Sequence, residues 1–516
     1  MKKVSAAPEI AVLLAILAVA AFLRIYQNGV TPGWYNDEGT VINIANNLNQ
    51  GRLEYLGIEG SLLIAARQPL FVYLLALIFR IFGSDIQILR NTVAILGVIN
   101  TALIFLSLRK YGQWIAILCA LAFALFPKAI LYARFGFSYN LVALLALLCF
   151  WSADHYLDTG ERRYIIFASL SIGLGVISEV AAVALIPVGI IIAGWKRWRD
   201  LFFALPLMLL PEIIYSAVML LASPQPYLYD LNFLLSRTSS DPLPVQLLRI
   251  LIDSGIIHQD LLFLAGMLGI FMFPIPSLQK RLALFLFVPL LIITRSNTIE
   301  QLGWYHLIWL FPLYAIGAGL LGNLFLRATT RFSREIFDAL VSRMGRYVTL
   351  PPPLILRAAW NMAFVVLLII APIIMGVFST IQRLYRGGDE STLTSVSLDF
   401  EQAKSTAEYI NAHSTASDIV LASPAIAWAL KGNVTDYQIS LAYQGYETPH
   451  FPRDIPKGRF RFDPTYTNAT YIVVDNIWKN WAENRMPQLI QMREYGERSQ
   501  VVYQTEDIAV YHVNRP

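Results

Sequence analysis

Long apolar stretches recur through the first 380 of 516 residues, separated by short loops carrying Lys and Arg. Runs of about 18 apolar residues suffice to cross roughly 30 Å of hydrocarbon as helix. A β-barrel would instead show short segments of alternating polarity. Composition agrees with the helical choice. Hydrophobic residues make up 56% of the chain and charged residues 15%, with mean hydropathy +0.54, against about 45–50% and 25% in soluble domains.

The pattern predicts eleven spanning helices, near 8–26, 86–108, 113–133, 139–157, 163–178, 180–195, 201–222, 261–276, 282–296, 304–326 and 358–380. Basic residues gather at Lys2 and Lys3, Arg109 and Lys110, Arg162 and Arg163, Lys196 to Arg199, Lys280 and Arg281, and in the loop 327–357. Placing all of these in the cytoplasm follows the positive-inside rule. It puts the amino terminus inside and the carboxyl-terminal region outside, in a multi-pass protein of the plasma membrane. The first segment follows two lysines like a signal peptide, but it is long and lacks a small-residue cleavage site, so it reads as a retained anchor. Pro69 to Gly83 is short and contains Arg80. Counting it as a span would invert every later loop, so it reads as a helix lying at the interface or re-entering the bilayer.

Beyond Thr380 the polarity becomes ordinary. Strand-length β-branched runs at 418–423, 471–475, 500–503 and 508–513 alternate with helical stretches at 399–412 and 485–495. The expected organisation is therefore an all-α polytopic membrane domain over 1–380 and a small α/β extracytoplasmic domain over 381–516. No phosphate-binding loop or dinucleotide fingerprint occurs. The net charge of +5 lies in the short loops, as topology signals do, which excludes nucleic acid as a partner. Cys119 and Cys149 sit inside apolar runs and offer no disulfide framework.

The chemistry-bearing residues fall in the outer loops. Trp34-Tyr-Asn-Asp37-Glu38 places two adjacent carboxylates just beyond the first span, where a carboxylate can take a proton from an alcohol. Asp37 could also start a helix as its N-cap, with Val41 to Leu48 running along the interface. Arg67 and Arg134 are outward arginines, either membrane-edge anchors or clamps for a phosphate. Glu179 is a lone acid between two apolar runs, a position that favours pairing or function. Tyr305 and His306 enter a late span as interface-belt residues or site candidates. The six histidines show no paired spacing, so no dedicated metal site is supported.

Taken in order, Trp-Tyr-Asn-Asp37-Glu38, Arg67-Gln-Pro69-Leu, Tyr-Ala-Arg134 with Asn140, Ser178-Glu179 and Trp-Tyr-His306 to Leu-Phe-Pro312 resemble the polytopic GT-C glycosyltransferases. The likeness is to the protein O-mannosyltransferase and aminoarabinose (lipid A) transferase families in particular. The resemblance implies a GT-C-like membrane enzyme that moves a sugar from a polyprenyl-phosphate donor to a hydroxyl of a protein, lipid or glycan, with inversion. It makes Asp37 the base, with Glu38 beside it, and Arg67 and Arg134 the donor-phosphate ligands. Asn140 stands where the aminoarabinose transferases carry an acid, Ala66 replaces their acid before the basic residue, and Glu179 replaces a basic or aromatic group. No cofactor is assigned, no nucleotide-binding domain is required, and a divalent metal stays open. The alternative is a non-catalytic lipid-binding, transport or scaffold protein of the same fold.

Overall fold

The computed structural model describes residues 7–61, 63, 69–236, 242, 244–245, 261–293, 304–344, 378 and 397–513. Helices α1 (Ala7–Ile25), α2 (Asn36–Asn49), α3 (Leu70–Phe82), α4 (Ile86–Leu108), α5 (Gln113–Ala124), α6 (Pro127–Tyr132) and α7 (Tyr139–Thr159) open the chain. They are followed by α8 (Arg162–Val176), α9 (Ile186–Lys196), α10 (Leu201–Ala222), α11 (Pro224–Ser236), α12 (Leu261–Met272), α13 (Pro276–Ile293) and α14 (Phe311–Met344). Among the described residues, 6 helices are long and apolar enough to cross a membrane. Large apolar side chains such as Leu14 and Phe22 of α1, and Phe203 and Ile213 of α10, are exposed, as a lipid-facing surface requires. The chain is a multi-pass integral membrane protein.

Local chemistry sets the helix ends. Asp85 caps α4 by accepting from Gln87 N at 2.6 Å, and Gly160 closes α7 in a left-handed conformation. The single helix expected over 113–133 divides into α5 and α6. Pro127 forces Phe126 into an extended conformation and then starts α6 at its first position. The expected helix at 180–195 likewise opens with a 3-10 turn, Val180–Leu185, before α9. The span expected at 358–380 lies outside the described residues.

Ion pairs sort the bundle into two ends. At one, Arg109 pairs with Glu9 at 2.5 Å, Lys110 with Asp154 and Asp158, and Arg162 with Asp200. Arg281 joins Asp154 and Asp158 there, and Trp114, Trp195 and Trp198 are exposed nearby in sequence. The other end holds α2, the 126–138 connection, and the 177–180 turn, where Ile177 O accepts from Leu70 N at 2.9 Å. Helix α3 starts on this end and leads directly into α4, whose first turns also bond there through Arg90. Thus α3 enters and leaves on one side.

Residues 397–513 form a five-stranded sheet in the order β4-β3-β5-β7-β6. Its strands are β3 (Ile419–Ala422), β4 (Asn433–Asp436), β5 (Tyr471–Asp475), β6 (Gln500–Gln504) and β7 (Ile508–His512). An antiparallel hairpin, β1 (Glu54–Tyr55) and β2 (Ile58–Glu59), precedes them in the first loop. β3 runs parallel to β4 and β5, while β7 is antiparallel to β5 and β6. Helices α15 (Phe400–His413), α16 (Tyr437–Tyr443) and α17 (Leu489–Glu497) complete the layer.

The sheet is not hung on a linker. Trp34, Ile42, Phe71, Leu75 and Val93 share one apolar core with Leu398, Ala407, Val420 and Val510. A second core joins Ile44, Tyr55 and Ile58 to Val434, Ile439 and Phe451. Trp34 and Leu398 exchange backbone bonds at 2.8 and 2.9 Å. Arg459 donates to the fully buried Asp230 of α11 at 2.6 Å. The change in polarity near residue 380 therefore divides the sequence more sharply than it divides the packing.

Candidate active site

Helix α2 presents three consecutive polar residues at its start, and each meets a different environment. Tyr35, not Asp37, holds the N-cap position, with extended φ −119° and ψ 147°. Asp37 falls instead in the first turn, where a carboxylate faces the unpaired amides and positive end of the helix. The helix lies between α3 and the carboxyl-terminal sheet region, with Ile42, Ile44 and Ala45 buried.

Glu38, expected beside Asp37 as a catalytic acid, is fully enclosed. Arg90 Nε and Nη2 grip its carboxylate at 2.8 and 2.6 Å, with both side chains 0% exposed. Gly136 N adds a third bond at 2.9 Å, and Arg90 also donates to the carbonyls of Asn28, at 2.8 Å, and Gly33. A carboxylate so enclosed has no path to a substrate proton. Arg90 escaped the sequence reading because it lies within an apolar spanning run. The signal was available, since a lone charge in such a run demands a partner.

Asn36 is pinned on the opposite side. Its Nδ2 donates to the Tyr437 hydroxyl at 3.0 Å, and its Oδ1 accepts from Ala425 N at 3.2 Å. Gly39 lets the helix approach that closely, because a Cβ there would lie 1.9 Å from the Pro424 carbonyl oxygen. Asp37 sits half-buried between these two anchored neighbours.

The other candidates separate from this centre. Arg134 is buried and donates to the carbonyls of Leu23 and Tyr26 at 3.1 and 2.9 Å. Expected as a donor-phosphate ligand, it ties the 126–138 connection to the end of α1 through these bonds. Asn140 donates to Tyr132 O at 3.1 Å and stabilises the entry to α7. Glu179 caps the 3-10 turn through Val180 N and accepts from Ser138 Oγ at 3.0 Å; it is a paired cap in place of a lone acid. Arg67 and the side chains of Tyr305 and His306 lie outside the described residues, though Trp304–Leu310 forms a 3-10 turn leading into α14. Among the described residues, no three His, Cys, Asp or Glu side chains gather as a metal site.

The structure of ArnT from Cupriavidus metallidurans bound to undecaprenyl phosphate superposes with TM-score 0.63 at 14% identity, covering 98% of each chain. The chain has the GT-C fold. A second solved GT-C neighbour is the oligosaccharyltransferase AglB from Archaeoglobus fulgidus, in complex with an inhibitory peptide and a dolichol-phosphate. It matches with TM-score 0.51 and 13% identity over 92% of this chain and 70% of its own. The family model described as dolichyl-phosphate-mannose-protein mannosyltransferase matches residues 66–225. That region takes in Arg67, Arg134, Asn140 and Glu179, and begins after Asp37. Among curated protein sequences, none matches this chain.

Within this GT-C fold, the carboxyl-terminal sheet brings Asp436 and Tyr437 close to the start of α2. Burial pushes the Asp436 carboxyl up to about 6, against bonds from Ile439 N and Tyr55 that favour its ionised form. Burial, followed by the charges of Asp475, Asp436 and Asp37, raises the Tyr437 hydroxyl well above its usual range. It therefore stays protonated near neutral pH.

Proposed function

We propose that the chain is a glycosyltransferase that uses a polyprenyl-phosphate-linked sugar, with Asp37 as general base and Arg67 as clamp on the donor phosphate. The Asp37 carboxylate accepts the proton of an acceptor hydroxyl while the hydroxyl oxygen attacks the anomeric carbon. The bond from that carbon to the phosphate oxygen breaks from the opposite face. Polyprenyl phosphate departs with the electron pair, and configuration inverts. A guanidinium at Arg67 would stabilise the charge that grows on the leaving phosphate.

What carries this reading is the half-buried Asp37 held between two anchored neighbours, in a fold whose ArnT example binds undecaprenyl phosphate. The sugar is a hexose or pentose, and the acceptor is a protein, lipid or glycan. Eleven spans place the basic end of the bundle and the amino terminus in the cytoplasm. The sheet then lies outside, on the plasma-membrane face where transfer occurs. The deciding experiment incubates the purified protein with a panel of polyprenyl-phosphate sugars and identifies labelled products by mass. Asp37→Asn is expected to cut transfer by about 10²–10⁴-fold, the usual range for a lost general base. Wild-type rates in that variant would remove Asp37 from the chemistry, and no transfer from any donor would return the scaffold reading.

A further inference from the structure

In open α/β sheets, ligands settle beyond the carboxyl ends of the parallel strands. Here that edge is already occupied. β3 leads into Ser423 and the Pro424–Ala427 turn, β4 ends at Asp436, and β5 ends at Asp475. The start of α2 lies against this edge, with Gly39 on the Pro424 carbonyl and Asn36 bonded to Ala425 N. The outer sheet thus holds the helix of the proposed base where other α/β layers hold a small molecule.

The link is continuous. Asp436 caps α16 by accepting from Ile439 N at 2.8 Å, which fixes Tyr437 at the first helical position. The Tyr437 hydroxyl accepts from Asn36 at 3.0 Å, and Asn36 directly precedes Asp37. A parallel link runs one turn later. Asp436 Oδ2 accepts from the Tyr55 hydroxyl at 3.0 Å, which in turn meets Thr40 Oγ1 at 3.1 Å. Ser423 donates to the buried Asp475, steadying the neighbouring strand ends. The Asn36–Tyr437 contact joins positions 401 residues apart.

We propose that Tyr437, acting through Asn36, is a positioning residue for Asp37. The outer sheet then aims the carboxylate at the acceptor hydroxyl, and is a working wall of the reaction centre. This rests on the reading of Asp37 as base. Proximity catalysis is steep in geometry, and a misplacement near 1 Å can lower rates by about 10²-fold.

The test uses the full chain, with undecaprenyl-phosphoryl mannose as probe donor and donor consumption as readout. Tyr437→Phe keeps the ring and removes the acceptor for Asn36. It is expected to lower kcat by about tenfold or more with KM for the donor unchanged and the unfolding temperature nearly unchanged. Asn36→Ala removes the donor to Tyr437 together with the acceptor for Ala425 N and should lower kcat at least as far. Tyr229→Phe removes a different contact between bundle and sheet, the bond to Asp454, and should leave kcat at the wild-type value. A second arm needs no turnover. In Asp37→Cys, the rate of mixed-disulfide formation with a charged methanethiosulfonate, which releases methanesulfinate, should change several-fold when Tyr437→Phe is added. An unchanged rate of thiol modification, or equal kcat losses in Tyr437→Phe and Tyr229→Phe, would overturn the proposal. Wild-type kcat in Tyr437→Phe beside an inactive Asp37→Asn would overturn it while sparing the base. Wild-type transfer by Asp37→Asn would refute the base itself.

Discussion

The two ends of the helical bundle handle charge differently. At the end that gathers the basic loops, the network of Lys110, Arg281, Asp154 and Asp158 is redundant, since each acid has two cationic partners. Arg162 and Arg163 there are largely solvent-exposed. At the opposite end, Glu38 with Arg90 and Asp230 with Arg459 are buried pairs serving single fixed contacts. A redundant network tolerates the loss of one cation because the other still pairs with the buried Asp154, whereas a buried pair with a single counter-charge is strongly destabilised when one member is removed. Orientation signals need only charge in the right place. A reaction centre needs one geometry.

The comparison first stands or falls on which face each end occupies. Gln50→Cys and Glu447→Cys, both at exposed positions of the sheet-bearing end, should label completely with an impermeant thiol reagent added outside intact cells. Arg199→Cys, exposed at the basic end, should not. Cys119 and Cys149 are fully buried and supply little background. Labelling of all three from one side would break the assignment of faces.

Next in size is the buried pair. Arg90→Met should destabilise the protein by about 3–5 kcal/mol, because it strands Glu38 without a counter-charge; thermal unfolding in detergent checks this. A change near zero would mean that water reaches the pair.

A smaller effect comes from Asp436, whose folded value near 6 lies above its ordinary 3.8. Such a group binds its proton more readily when folded. Stability is therefore gained as pH falls through about 6 towards 4, and lost as pH rises through the same window. Between pH 7.5 and 5.5 the wild type should gain about 1 kcal/mol relative to Asp436→Asn. Parallel pH profiles of unfolding for the two proteins would contradict the burial cause. Lys110→Met should have the smallest effect, below about 1 kcal/mol, because Arg281 still pairs with both acids. A larger loss would erase the contrast between the ends.

Most helix positions were legible because membrane solvation imposes a coarse rule that each stretch obeys by itself. The rule failed where backbone geometry intervened, at Pro127 and at the 180–185 turn. In the outer region, β3, β5, β6 and β7 were marked by β-branched runs. β4 was not, since Asn433-Val-Thr-Asp436 is short and polar-flanked. The acidic pair stood out in the sequence, yet nothing local could say which acid was buried. Arg90, 52 positions from Glu38, encloses that acid, and Tyr437, 401 positions from Asn36, anchors the residue before Asp37. At Arg134 and Glu179 the charge was visible in the sequence, while the carbonyls and amide they bond were not.

Helix α3 spans 13 residues, about 20 Å at 1.5 Å per residue and too short to cross the hydrocarbon. Leu77, Ile81 and Phe82 face outward from it, while Phe71 and Leu75 pack beneath α2. A greasy-sided rod of this kind floats at a fixed depth, like a keel turned sideways. The rest of the assembly takes its waterline from it, and under the proposed function that is the level at which a carrier lipid's headgroup would arrive.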